Sequence, residues 1–143
     1  MKTDSIISIR PQYAHSILDG SKTIELRRRI PHIEQGSRLW IYSTLPEGAV
    51  IGSVYVEDVL RLSPKLLWKK YGDQTRVSRH VFDEYFADAD ISIGIVLRDP
   101  ERRPPIRLAA LREMRSDFHP PQVIKRLGPI MQKRFTYVEA SAA

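Results

Sequence analysis

A lysine, a glutamate and an arginine lie within six positions of the chain, in the segment GSKTIELR at residues 20–27. The ammonium group of Lys22 could neutralise a phosphate or an oxyanion, and partial burial would lower its pKa enough for general-base work. Glu25 and Arg27 are two positions apart, so they would share one face of a strand and could orient each other and Lys22. The alternative is a solvated turn lysine beside a structural ion pair, which contributes little to stability when it is exposed.

The neighbouring residues predict how these side chains are positioned. Residues 11–19 begin with a proline, which suits a first helical position, and their apolar side chains recur at helical spacing. Gly20 can adopt positive φ and end that helix. Residues 23–29 then alternate as a strand, with Ile24 and Leu26 facing the core and the charged side chains on the other face. A helix, a turn and a strand therefore bring the charged cluster to the mouth of a sheet.

This segment resembles the signature G-x-K-x-x-E-x-R of the ASCH family, the activating signal cointegrator homology domains of the PUA-like superfamily. The matching positions are Gly20, Lys22, Glu25 and Arg27. The flanking segments ISIRPQYA (residues 7–14) and LWIYST (residues 39–44) resemble the family's first strand and the strand after the signature. The resemblance is clearest over residues 5–99 and implies one ASCH/PUA-like domain over residues 1–143.

The remaining pattern predicts an α+β domain built round a small β-barrel and flanked by helices, which is also the PUA-like fold that the resemblance implies. Gly52, in the longest predicted strand, marks a bulge or a site of close backbone approach. Three prolines predict a loop between residues 98 and 105, and residues 139–143 read as a flexible tail. Further strands are predicted at 4–10, 38–44, 49–61, 91–97 and 106–108, and further helices from Pro64, at 78–87, at 109–115 and at 122–127.

Composition narrows the possible chemistry. The chain has no cysteine, which excludes disulfides, thiolate catalysis and sulfur-ligated metals. Its four histidines are scattered without metal-ligand spacing, so we expect neither a metal nor another cofactor. The N-terminus has no long apolar stretch, so we expect no signal peptide, no membrane span and a cytoplasmic location.

The net charge of +6 is unevenly distributed, with the basic surplus in residues 1–38, 61–79 and 101–143. One face of positive potential would attract phosphates through counterion release. A merely solubilising surface is the alternative explanation.

The resulting candidate partner is single-stranded RNA or a modified nucleotide, and no particular protein partner is predicted. Arg10 ends the first predicted strand at a position where the resemblance implies a basic residue. Tyr42 offers a phenol for stacking or hydrogen bonding. The predicted RNA-binding residues are Arg10, Lys22, Glu25, Arg27, Arg29 and Tyr42.

A hydrolase using the same cleft is the alternative to a binding module, with Lys22, Glu25 and Tyr42 as its candidate catalytic residues. ASCH relatives that deacylate an acetylated cytidine use the signature lysine, a threonine three positions later and a distant glutamate. Here Glu25 occupies the position of that threonine, and Thr23 would lie on the wrong side of the strand to replace it. The amidohydrolase is therefore disfavoured, whereas a ribonuclease acting on single-stranded RNA is allowed. A third hypothesis is a structural or protein-interaction domain.

Overall fold

Over residues 3–142, the strands form one six-stranded mixed sheet that curves into a half-barrel, with five helices around it. The computed structural model describes the backbone of residues 3–142 and the side chains of residues 3–136. The strands are β1 (Ser5–Ile9), β2 (Ile24–Arg27), β3 (Arg38–Ser43), β4 (Ala49–Leu62), β5 (Ser92–Arg107) and β6 (Ile124–Arg126). The helices in this part of the chain are α1 (Pro11–Leu18), α2 (Pro64–Thr75), α3 (Arg79–Tyr85), α4 (Leu108–Met114) and α5 (Pro129–Ala142).

The strand order is β2-β5-β4-β3-β1-β6, in which β1 and β3 run parallel and the other neighbours are antiparallel. The long strands β4 and β5 pair along most of their length, with register shifts at three places. Such irregularities bend the strands and increase their twist. The predicted α+β PUA-like barrel flanked by helices is confirmed.

Helices cover the sheet and divide its core into three clusters. Alternation along β1 and β3 sends one set of side chains towards α1 and the other towards α4 and α5. On β2, Ile24 and Leu26 are buried against α2 and α3, as predicted. The opposite face of β2 is thereby left for its charged residues.

Gly52 lies where backbones approach closely, which confirms the interpretation of this glycine. A Cβ atom at this position would lie 2.4 Å from the carbonyl oxygen of Glu101 and 2.8 Å from a methyl carbon of Leu18. Neither contact is compatible with a normal side chain, so β4 needs glycine here.

Two local predictions are wrong. Residues 98–105 are not a loop, because β5 continues to Arg107. Its prolines at 100, 104 and 105 lie in the stretches where the register with β4 shifts. The regular hydrogen bonding between the two strands is interrupted there, so the missing N–H groups of the prolines are tolerated. Residues 122–127 are not a helix either, because Ile124–Arg126 forms β6 and pairs with β1.

Helix α5 was not predicted from the sequence. The expected tail at residues 139–143 falls at the end of this helix, and Ala143 lies outside the described residues. None of the described helices is long and apolar enough to cross a membrane.

Candidate functional site

The turn after α1 places the signature segment. Gly20 adopts φ of +88°, as predicted for a residue that ends a helix. The backbone N–H of Lys22 then donates to the carbonyl of Ser16 at 2.9 Å, which folds the chain back against α1. This fold-back brings Lys22 to the same side as Glu25, although strand alternation alone would separate them.

The Lys22 ammonium is held by three groups in the interior. Its Nζ donates to the carbonyl of Thr75 at 2.5 Å, lies 3.6 Å from Oε1 of Glu25, and is 5.1 Å from the centre of the Tyr13 ring. Only 1% of its side chain is exposed. Thr75 is the last residue of α2, so the ammonium satisfies one of the free carbonyls at the negative end of that helix.

Burial controls the ionisation of this lysine. Removal from water lowers the pKa of Lys22 below its ordinary value, the charge and hydrogen bond of Glu25 raise it, and the charge of Arg27 lowers it. The net shift is downward, because desolvation is the largest of these effects. Lys22 therefore releases its proton at a lower pH than an exposed lysine.

Glu25 lies between two cations. Its Oε2 accepts hydrogen bonds from Nε and Nη2 of Arg27 at 3.1 and 2.7 Å, while its Oε1 faces Lys22. Nη2 of Arg27 also donates to the carbonyl of Ser8 at 2.8 Å. Strand β6 pairs with β1 only over Ser5–Ile7, so Ser8 lies past the end of this pairing. The hydrogen bond from Arg27 to Ser8 therefore links β2 directly to β1. The arginine thus connects strands from opposite halves of the sheet.

A cleft of about 700 Å³ opens over these charged side chains. One side comes from β2 and α3, and the other from β1 and the segment that leads into β6. We call it the signature cleft, and its volume is in the range of ligand sites. Its lining residues are Ser8, Ile9, Arg10, Tyr13, Lys22, Glu25, Leu26, Arg27, Thr44, Val77, Val81, Phe82, Glu84, Tyr85, Pro120, Pro121 and Gln122. Within the described part of the chain, the buried Ser8 hydroxyl has no hydrogen-bond partner.

The structure brings four of the six predicted RNA-binding residues to the signature cleft. Lys22, Glu25 and Arg27 line it together with the exposed Arg10. Arg29 is exposed beyond the end of β2 and is not one of the lining residues.

Tyr42 is also outside the set of lining residues, which corrects its predicted place. This residue is 2% exposed, and its side chain packs in the cluster beneath α4 and α5. The same burial raises the pKa of the Tyr42 phenol, while the charge of Arg112 acts in the opposite direction. A covered ring cannot stack on a base, so the stacking role expected of Tyr42 does not fit the structure.

Sequence reasoning missed the apolar side of the signature cleft. The sequence predicts one helical stripe containing Val81, Phe82, Tyr85 and Phe86. The structure divides it, since the two phenylalanines are buried while Val81 and Tyr85 remain 42% and 40% exposed and line the cleft. The sequence feature that could have indicated this exposed side is the width of the apolar stripe, because packing against a single neighbouring surface needs a narrower stripe.

No group of three or more histidine, aspartate or glutamate side chains that could hold a metal ion occurs in the described part of the chain.

Thr23, the hydroxyl residue that directly follows Lys22, is not one of the cleft-lining residues.

Comparison with known proteins identifies relatives that contain an ASCH domain. The family model of the ASCH domain matches residues 7–101. An ASCH domain-containing ribonuclease of Zymomonas mobilis is 37% identical over 121 residues, which cover 85% of this chain and 82% of the relative.

Solved structures agree with this match. The crystal structure of the ASCH protein from Zymomonas mobilis superimposes with a TM-score of 0.90 and 36% identity, covering 94% of each chain. The N-terminal domain of McrB from Staphylothermus marinus gives a TM-score of 0.59 at 13% identity and covers all of this chain and 96% of that domain, which is a likeness of fold alone.

Proposed function

The chain belongs to the ASCH domain family, and from that premise we propose that it binds single-stranded RNA in the signature cleft and cleaves it there. The observation that supports this most strongly is the desolvated Lys22–Glu25–Arg27 cluster at the base of an open cleft. An acid–base pair beside a fixed arginine suits a reaction in which charge develops on a phosphoryl group.

RNA fits this cleft for two reasons. Lys22, Arg27 and the exposed Arg10 outnumber the two lining carboxylates, Glu25 and Glu84, so an anionic ligand is favoured, and the chain as a whole carries a net charge of +6. The similarity to a protein named as a ribonuclease makes RNA the first substrate to test. A modified nucleotide has the same phosphate and base chemistry and is the alternative ligand.

The proposed reaction assigns a role to each charged residue. The Glu25 carboxylate accepts the proton of the ribose 2′-hydroxyl, whose oxygen attacks the adjacent phosphorus and displaces the 5′-oxygen of the next nucleotide. Arg27 and Lys22 stabilise the negative charge that builds on the phosphoryl oxygens. The Lys22 ammonium, with its lowered pKa, supplies the proton that the departing 5′-oxygen needs. The products are a 2′,3′-cyclic phosphate and a 5′-hydroxyl end.

A binding module without catalysis is the second candidate. It is favoured by the engagement of Lys22, whose ammonium is held by the Thr75 carbonyl and is almost completely covered. In that case the buried cluster would only fix the shape of the cleft and its positive potential.

The test compares two labelled oligoribonucleotides of the same sequence, one natural and one methylated at every 2′-oxygen. We expect the protein to bind both, with affinity that falls steeply as salt is added, and to cleave only the natural strand to a cyclic phosphate. Salt-dependent binding without cleavage would establish the binding module, and no binding at low salt would overturn both candidates.

A further inference from the structure

We propose that the apolar half of the signature cleft, formed by Val81 and Tyr85 on α3 and by Pro120 and Pro121 opposite them, clamps a single unpaired nucleobase. The inference rests on the proposed function, because it concerns the RNA held in the same cleft. It moves the stacking role that the sequence assigned to Tyr42 onto Tyr85.

The first support is the exposure of apolar side chains on α3. Val81 and Tyr85 are one helical turn apart, so their side chains lie on the same face of the helix. Each keeps about two-fifths of its surface exposed, although both line a cleft. An aromatic ring presented in this way is a stacking platform, and stacking tolerates any base because every base has a π-face.

The second support is the rigidity of that platform. Arg28 follows β2, and its Nη1 donates to the carbonyls of Tyr85 and Ala87 at 2.8 and 3.1 Å, which fixes the end of α3 against β2. The Tyr85 ring also contacts Phe86 edge to face, with centroids 4.8 Å apart, and Phe86 is itself buried. A platform fixed before binding loses little conformational freedom when a base stacks on it.

The opposite wall comes from the other half of the sheet. Pro120 and Pro121 precede β6, which lies at the far edge from β2 in strand order. The curvature of the half-barrel brings the two edges together, and the Arg27–Ser8 hydrogen bond links β2 to β1 at that point. Proline rings are rigid and apolar, so this wall can contact the second face of a flat base.

The distribution of charge identifies the occupant. One part of the cleft carries Lys22, Glu25 and Arg27, and the other carries aromatic, valine and proline side chains together with one exposed carboxylate, Glu84. A nucleotide has the same division, with an anionic phosphate and a flat, largely apolar base. A base held between two walls must leave its stack and its pairing partner, so the clamp selects single-stranded RNA over duplex.

The experiment uses 2′-O-methylated octanucleotides, which the proposed reaction cannot cleave, in a form with all bases and a form with abasic sugars throughout. Binding is measured for the wild type, Tyr85→Ala, Tyr85→Phe and Ile91→Ala. Ile91 is an exposed apolar residue outside the set that lines the cleft and serves as the control. The thermal midpoint of each variant is recorded to verify folding.

We expect the wild type to bind the octamer with bases more tightly than the abasic one. Tyr85→Ala should weaken binding to the octamer with bases by about 5- to 150-fold, with an unchanged salt slope and an unchanged affinity for the abasic strand. Tyr85→Phe and Ile91→Ala should behave like the wild type.

If Tyr85→Ala binds the octamer with bases as the wild type does, the clamp is wrong while the proposed function stands. If the wild type binds neither strand at low salt, the proposed function fails and the clamp with it. Equal affinity of the wild type for both strands would also overturn the clamp, because phosphate contacts alone would then account for binding.

Discussion

At the scale of single residues, the proposed chemistry depends on the Glu25 carboxylate, which lies between the buried Lys22 ammonium and the partly buried Arg27 guanidinium. One carboxylate oxygen of Glu25 accepts a hydrogen bond from Arg27, and the other oxygen faces the Lys22 ammonium. Removing one partner of such a buried cluster leaves an uncompensated charge in the interior. Conservative substitutions that keep the shape of the side chain are therefore more informative here than truncation to alanine.

The ionisation of Lys22 gives the first prediction. We expect its midpoint, followed by the NMR shift of a ¹³C-labelled lysine side chain, to lie below the ordinary value of 10.5. Glu25→Gln should lower the pKa of Lys22 further, because the carboxylate favours the charged form of the ammonium. A midpoint at or above the ordinary value would contradict desolvation as the dominant effect on Lys22.

At the scale of elements, β2 is the strand whose apolar side chains pack in the core and whose charged side chains line the signature cleft. Leu26 is 8% exposed and packs with residues of α2 and α3. We expect Leu26→Ala to lower the free energy of unfolding by roughly 2–5 kcal/mol in urea titrations. Leu66→Ala is the control, since Leu66 is 37% exposed on α2, and it should cost clearly less. A loss below about 1 kcal/mol for Leu26→Ala would contradict the placement of this face.

The close approach at Gly52 gives a second prediction at this scale. Because an added Cβ would meet the Glu101 carbonyl at 2.4 Å, Gly52→Ala must displace β5, and we expect it to cost about 1–3 kcal/mol of unfolding free energy. Gly128→Ala is the matched control, since nothing lies within 4 Å of a Cβ there. Equal stability of the two variants would show that β4 and β5 are not packed this closely.

How far the sequence predicts each element depends on whether its cause is local. The turn at Gly20 and the two faces of β2 follow from a few adjacent residues, and the structure confirms both. The continuation of β5 through its prolines depends on the register with β4, which no local pattern contains.

The candidate site divides in the same way. The charged residues of the signature are grouped in sequence, and the structure places them in one cleft. Tyr42 was misplaced because alternation along β3 shows which residues share a face but not which helix covers that face. The cleft walls formed by α3 and by residues 120–121 come together only through the curvature of the whole sheet.

At the scale of the whole molecule, the half-barrel joins distant parts of a basic chain at one cleft. If phosphates bind there, a cleft arginine and an arginine outside it should contribute differently to RNA affinity. We expect Arg10→Ala to weaken binding of single-stranded RNA and to reduce the salt slope by roughly one unit. Arg29→Ala is the comparison, because Arg29 is also exposed but does not line the cleft. Equal effects of the two substitutions would indicate a diffuse basic surface instead of a binding cleft.

RNA cleavage by Glu25→Gln tests the proposed role of the buried carboxylate. Glu84→Gln is the control, because Glu84 also lines the cleft but is exposed and lies outside the buried cluster. Cleavage of the natural strand and binding of the 2′-O-methylated strand are measured for both variants. We predict that Glu25→Gln binds at least as tightly as the wild type and cleaves about 100- to 10,000-fold more slowly, whereas Glu84→Gln keeps both properties. Cleavage by Glu25→Gln at the wild-type rate would contradict the assignment of Glu25 as the base.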